Sequence, residues 1–119
     1  IRPDSLAKAG SVTPKIEGAK GVKPLSDGER TIELREVPNP HSAGMLAAYL
    51  PNEKLLFVSD LFTPGTPVDA TNTNGINNAA ALYAVLTDAK LNVDRIVGGH
   101  GDVAPVRDLA KVAAMKQAP

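Results

Sequence analysis

Cysteine is absent from the 119-residue chain, and so is tryptophan. Without thiols there are no disulfides, no thiolate zinc sites and no cysteine nucleophile. Aromatic residues make up only 3% of the sequence, too few for a surface on which several rings stack against bases or sugars. Neither sign of charge dominates. Thirteen Lys and Arg balance thirteen Asp and Glu, which argues against a nucleic-acid partner, because phosphate binding calls for a cationic surplus. Long apolar runs are missing too. Stretches such as Met45–Leu50 fall far short of the roughly 20 residues that span a bilayer, and no membrane partner is expected. The sequence starts at Ile1 with no basic-then-apolar leader and no cleavage motif. It therefore reads as a processed product, a trimmed chain or a fragment, and it assigns no compartment.

What remains is ordinary globular material. Hydrophobic residues reach 43%, enough for the packed core of a single small domain. Residues 1–29 are rich in Gly, Pro, Lys and Ser and read as a loop-rich lead-in. Short extended pieces fall at Lys15–Glu17 and Gly21–Leu25, and Asp27-Gly28 gives a hairpin signal. Thr31–Val37 alternates apolar and polar residues, as a strand with one buried face does, and Pro38 and Pro40 end it. Met45–Leu50 and Leu55–Ser59 form a second hairpin around Pro51-Asn52-Glu53-Lys54. Its second strand is apolar on both sides, which predicts cover on both faces.

A Pro/Gly/Thr/Asn loop over residues 63–74 leads into a helix that starts near Asn74, capped by Asn72 or Asn74. Ile76, Ala79, Ala80, Tyr83 and Leu86 form its buried stripe. A short strand over Val93–Val97 runs into Gly98-Gly99-His100-Gly101, and a closing helix follows Pro105 with Val106, Leu109, Val112 and Ala113 on one face.

Chemistry-bearing residues are few. The only two histidines, His41 and His100, both sit where strands end, and Asp60 closes the strand Leu55–Ser59. Imidazole nitrogen and carboxylate oxygen suit zinc, and also manganese or iron. Taken singly, each has a plainer reading: a solvated turn histidine, a turn or cap aspartate, a loop histidine between glycines.

Taken together, residues 22–113 resemble the second half of a metallo-β-lactamase-fold hydrolase, the superfamily that includes glyoxalase II-type thioesterases. The resemblance rests on His41-Ser42-Ala43-Gly44 before a strand pair, on the acid Asp60 that ends that pair, and on Gly99-His100-Gly101 after a helix and a strand. It implies that His41 is a ligand of a first metal, Asp60 a carboxylate shared between two metals, and His100 a ligand of the second. All three would then be catalytic. It also implies two zinc ions in the complete site and hydrolysis of an ester, thioester, amide or phosphodiester in a small-molecule substrate by a metal-bridged hydroxide.

One departure limits that expectation. The family's His-x-His-x-Asp-His string is absent, and the family domain is about twice this length. The chain therefore reads as a single partial domain, residues 1–119, equivalent to the C-terminal half of an αββα sandwich. That half is an α+β unit: one mainly antiparallel sheet with about two helices on one face. A metal site left with so few of about four donors binds weakly, so the isolated chain is expected to be inactive. Its uncovered sheet face is expected to pair with the missing half or with a second copy in a homo-oligomer. The alternative reading is a non-catalytic interaction module that uses that face.

Weaker signals complete the picture. Asp69 and Asp102 are candidate further ligands but read more simply as loop residues. The glycine turn lacks phosphate-loop spacing, and Ser42 and Ser59 lie in no Gly-x-Ser-x-Gly elbow.

Overall fold

A computed structural model describes residues 4–10 and 13–116. Its six-stranded sheet runs in the order β1-β2-β3-β4-β5-β6. The strands are β1 Val22–Ser26, β2 Thr31–Glu36, β3 Leu46–Leu50, β4 Leu55–Val58, β5 Arg95–Gly98 and β6 Val103–Pro105. The helices are α1 Ser5–Lys8, α2 Thr73–Asp88 and α3 Val106–Ala114. Only β4 and β5 pair in parallel, and every other neighbouring pair is antiparallel. A parallel pair needs a crossover, and α2 supplies it.

Local chemistry explains the joints. In the β1–β2 turn the Asp27 carboxylate accepts N–H bonds from Glu29 and Arg30 at 2.9 and 2.8 Å, an arrangement that aspartate favours in turns. At the start of α2 the Asn72 side chain accepts the Gly75 N–H at 2.9 Å, as an N-cap does. Pro105 precedes α3 in extended geometry, so its missing N–H costs that helix nothing.

The core lies between the sheet and the helices. Leu56, Val58, Ile96, Leu82 and Leu109 are each no more than 1% exposed. Tyr83, Val106 and Val112 pack against this core as half-buried residues. The Tyr49 hydroxyl donates to the Asn92 carbonyl at 3.2 Å and so ties β3 to the linker after α2.

Several sequence expectations need correction. In the lead-in over 1–29 the extended piece expected at Gly21–Leu25 is present as β1, whereas Lys15–Glu17 forms no strand and the short helix α1 was not expected. Leu56 and Val58 are buried but Phe57 is 42% exposed, so β4 is covered on one face only. Composition alone cannot separate a doubly covered strand from one whose outer face is apolar and open. The alternating strand reaches Glu36, and Val37, although buried, lies just past it. Strand β6 is new: three residues around Ala104 are too short to show a period. Asn77 and Asn78 lie inside α2, which begins at Thr73. Asn78 is buried and its Oδ1 has no hydrogen-bond partner among the described residues, while Leu82, absent from the expected stripe, is fully buried.

Candidate functional site

Strand directions bring the three candidate residues to one edge of the sheet. Glu36 at the end of β2 lies beside Leu46 at the start of β3, and Val58 at the end of β4 lies beside Gly98 at the end of β5. The connection that carries His41, the turn that carries Asp60 and the turn that carries His100 therefore all leave the same edge. The carboxyl ends of parallel strands are where open α/β sheets bind ligands.

Asp60 sits at the centre of a three-residue turn closed by the Leu61 N–H on the Ser59 carbonyl at 2.7 Å, with its own φ at 60°. A non-glycine residue pays conformational strain there. The turn swings the carboxylate out of the strand line. His100 is placed by the glycines around it. A Cβ on Gly98 would overlap the His100 carbonyl oxygen, and one on Gly101, whose φ is +83°, would overlap the Pro64 carbonyl oxygen. The Gly99 N–H bonds the Val58 carbonyl at 2.7 Å and the Asp102 N–H bonds the Pro64 carbonyl at 3.0 Å, so the turn is pinned to the end of β4 and to the loop after it.

The result is a contact. His100 Nε2 lies 3.0 Å from Asp60 Oδ1, with both side chains partly open to solvent. The 37–45 connection is built around Asn39. Its Oδ1 accepts the N–H groups of His41 and Ser42, and its Nδ2 donates to the carbonyls of Val37 and Ser42. His41 is exposed at that same edge, but no group of three His, Asp or Glu side chains able to hold an ion exists among the described residues. The structure thus unites Asp60 with His100 and does not add His41 to them. Asp69 and Asp102 serve their own loops: Asp69 Oδ1 accepts from the Thr71 N–H and hydroxyl, and Asp102 Oδ1 accepts the Val103 N–H. Sequence reasoning missed Asn39 as the organiser of the His41 loop, although an Asn between two prolines is a turn signal.

The donor types of the Asp60–His100 pair fit a zinc, manganese or iron ion, but their number does not. Two donors fall short of the four that a tetrahedral site takes. A small cavity of about 220 Å³ opens beside Asp60 and is walled by Phe62, Thr63, Thr66 and Val68. A larger one of about 630 Å³ lies at the opposite end, where α2 finishes and α3 begins, and has no His or carboxylate in its lining. The chemistry and this larger cavity are therefore in different places.

Solved structures with the same architecture include a metallo-β-lactamase from Pontibacter korlensis, with a TM-score of 0.65 at 21% identity over 92% of this chain and 52% of its own. A metal-soaked flavodiiron core from Synechocystis gives 0.63 at 20% identity over 92% of this chain and 32% of its own. The DIM-1 metallo-β-lactamase gives 0.61 at 21% identity over 92% of this chain and 51% of its own. The chain has the metallo-β-lactamase fold. It spans about half the length of the two β-lactamases it matches. At these identities the likeness establishes the fold alone, and the fold carries different chemistry in a lactamase and in a flavodiiron protein. No protein-family model matches the chain, and no curated protein does. No described helix is long and apolar enough to cross a membrane.

Proposed function

We propose that this chain is the portion of a metal-dependent hydrolase that carries Asp60, His100 and His41, and that the other metal donors come from outside it. One observation carries the reading: a carboxylate and an imidazole 3.0 Å apart, held by a strained turn and a glycine turn at the carboxyl ends of two adjacent parallel strands. His100 and Asp60 would hold one ion between them, and His41, on the neighbouring connection, would serve a second. Zinc is the metal proposed first, with manganese or iron as substitutes. When bound, such an ion lowers the pKa of a coordinated water and polarises a carbonyl or phosphoryl oxygen. The chain's own residues place the donors, and the loop over 63–74 borders the space where a small-molecule ester, thioester, amide or phosphodiester would lie.

The shortage of donors favours a second reading, a non-catalytic interaction module. Zinc analysis separates the two. Under the hydrolase reading the isolated chain loses its zinc on gel filtration and turns over no substrate. Combined with the rest of the parent polypeptide, it retains zinc and hydrolyses one of a panel of chromogenic esters, thioesters and phosphodiesters, and His100→Ala removes both properties. Zinc retention and turnover that persist in His100→Ala, or a combined protein that holds no zinc, would sink the hydrolase reading.

A further inference from the structure

The cavity of about 630 Å³ between the end of α2 and the start of α3 takes no part in the site built on Asp60 and His100. Helical spacing makes its walls. Tyr83, Leu86 and Thr87 share one stripe at the end of α2, at intervals of three and four, and Leu91 continues the wall beyond the helix. Val106 and Ala110 face them from α3 at the same interval. Ala110 contributes only a methyl group, which leaves the space open. The walls are apolar and the rim is cationic. Leu86 is 4% exposed and belongs to the core cluster, against which Tyr83, Leu91 and Val106 pack half-buried. The charged residues of the lining are Lys90 and Arg107, both exposed and both positive. Neither forms an ion pair among the described residues. Carboxylates on the flanking segments are engaged elsewhere: Asp108 meets Lys111 at 3.2 Å and Asp94 faces Lys54 at 4.0 Å. Asp88, the last residue of α2, stands outside the lining. A chain with no net charge thus gathers two cations at the rim of an apolar groove.

We propose that this groove binds a free, small organic carboxylate with an elongated apolar body, of the fatty-acid type, its chain lying between α2 and α3 and its carboxylate at Lys90 and Arg107. Size, lining and charge choose this occupant. The volume falls within the roughly 300–1,000 Å³ of small-molecule sites, which are mostly apolar with a few polar groups that fix orientation. Burying a hydrocarbon chain against these walls is favourable, and a fully polar anion would gain nothing from them. A neutral chain would leave both cations without a counter-charge. A carboxylate gives Arg107 a planar partner for paired N–H bonds and gives Lys90 a point charge to face. A membrane surface fits less well, because anionic lipid is recognised by clusters of roughly four to eight basic residues, and this lining holds Lys90 and Arg107 alone. The groove needs no metal, so the proposal does not rest on the hydrolase reading.

The test titrates the isotope-labelled chain with dodecanoate below its micelle concentration, with dodecanol and acetate as comparison probes. The expected result is saturable one-to-one binding of dodecanoate by calorimetry, with NMR shift changes gathered at Tyr83, Leu91, Val106 and Ala110. Dodecanol should bind about tenfold more weakly, and acetate should cause no saturable change. Lys90→Ala combined with Arg107→Ala alters two exposed side chains, so the circular dichroism should stay as in the wild type. That double variant should bind dodecanoate about tenfold more weakly and dodecanol as the wild type does. Ala110→Leu fills the groove and should abolish the binding of both, whereas His100→Ala should change neither. Dodecanol that binds as tightly as dodecanoate overturns the proposal, and so does an affinity indifferent to the Lys90 and Arg107 substitutions. Shift changes centred on Phe57 and Val103, on the open face of the sheet, or dodecanoate binding that is lost in His100→Ala overturn it as well.

Discussion

His100 Nε2 and Asp60 Oδ1 stand 3.0 Å apart because two strands that are distant in sequence run side by side and end together. Val58 and Gly98 are register partners in the parallel β4–β5 pair, and each strand is followed within two residues by its chemistry-bearing side chain. The crossover through α2 removes the sequence distance between them.

That geometry depends on the glycine turn. Replacing Gly98 with Ala puts a methyl group where the His100 carbonyl oxygen lies, so the turn must move. The expected outcome is a loss of about 1–3 kcal/mol, typical of forced overpacking, with a shift of the His100 ring resonances in NMR spectra. Wild-type ring shifts in a fully stable Gly98→Ala chain would show that the turn yields without moving the histidine.

Consecutive residues on β4 should respond oppositely to truncation in the isolated chain. Leu56→Ala opens a cavity under the helices and is expected to cost about 2–5 kcal/mol in urea unfolding. Phe57→Ala removes a side chain from the open face and should change stability by no more than about 0.5 kcal/mol. Equal losses at both positions would mean that the open face is covered even in the isolated chain.

Helix α2 starts on a single side-chain cap. Asn72→Ala leaves the Gly75 N–H without the partner it has at 2.9 Å and should cost about 1 kcal/mol, with Asn72→Asp restoring most of it. Urea midpoints of the two variants check this. An Asn72→Ala midpoint equal to wild type would show that solvent caps the helix as well as the amide does.

Acid should loosen the β1–β2 hairpin late. Hydrogen bonds from the Arg30 and then the Glu29 backbone N–H hold the Asp27 carboxyl below its ordinary range, which lies near pH 3.9. A folded-state pKa depressed in this way contributes stability that is complete above the unfolded value and disappears as pH falls through the folded one. The Glu29 and Arg30 amide resonances should titrate together with a midpoint under about 3.9, and the transition should vanish in Asp27→Ala. A midpoint at or above the ordinary value would contradict the turn geometry.

Much of this architecture is written in local pattern. The Asp27-Gly28 turn, the hairpin around Pro51-Asn52-Glu53-Lys54, the Asn72 cap and the helix after Pro105 all announce themselves through residues whose backbone preferences are strong. Asp60 and His100 are visible in the same way, as an acid and a glycine-flanked histidine at strand ends. The short strand β6 and the burial of Asn78 are not, since the first is too brief to show a period and the second depends on which face of α2 meets its neighbours.

By itself the sequence determined where most of the longer elements lie and which side chains could bind a metal, because turn geometry, capping and alternation act over a few residues. Only the tertiary structure decided that Asp60 meets His100, that His41 shares their sheet edge without joining them, and that Leu56 is buried while Phe57 faces out. Those facts depend on strand order and on which side of the sheet the helices pack, and both are set by contacts between residues far apart in the chain.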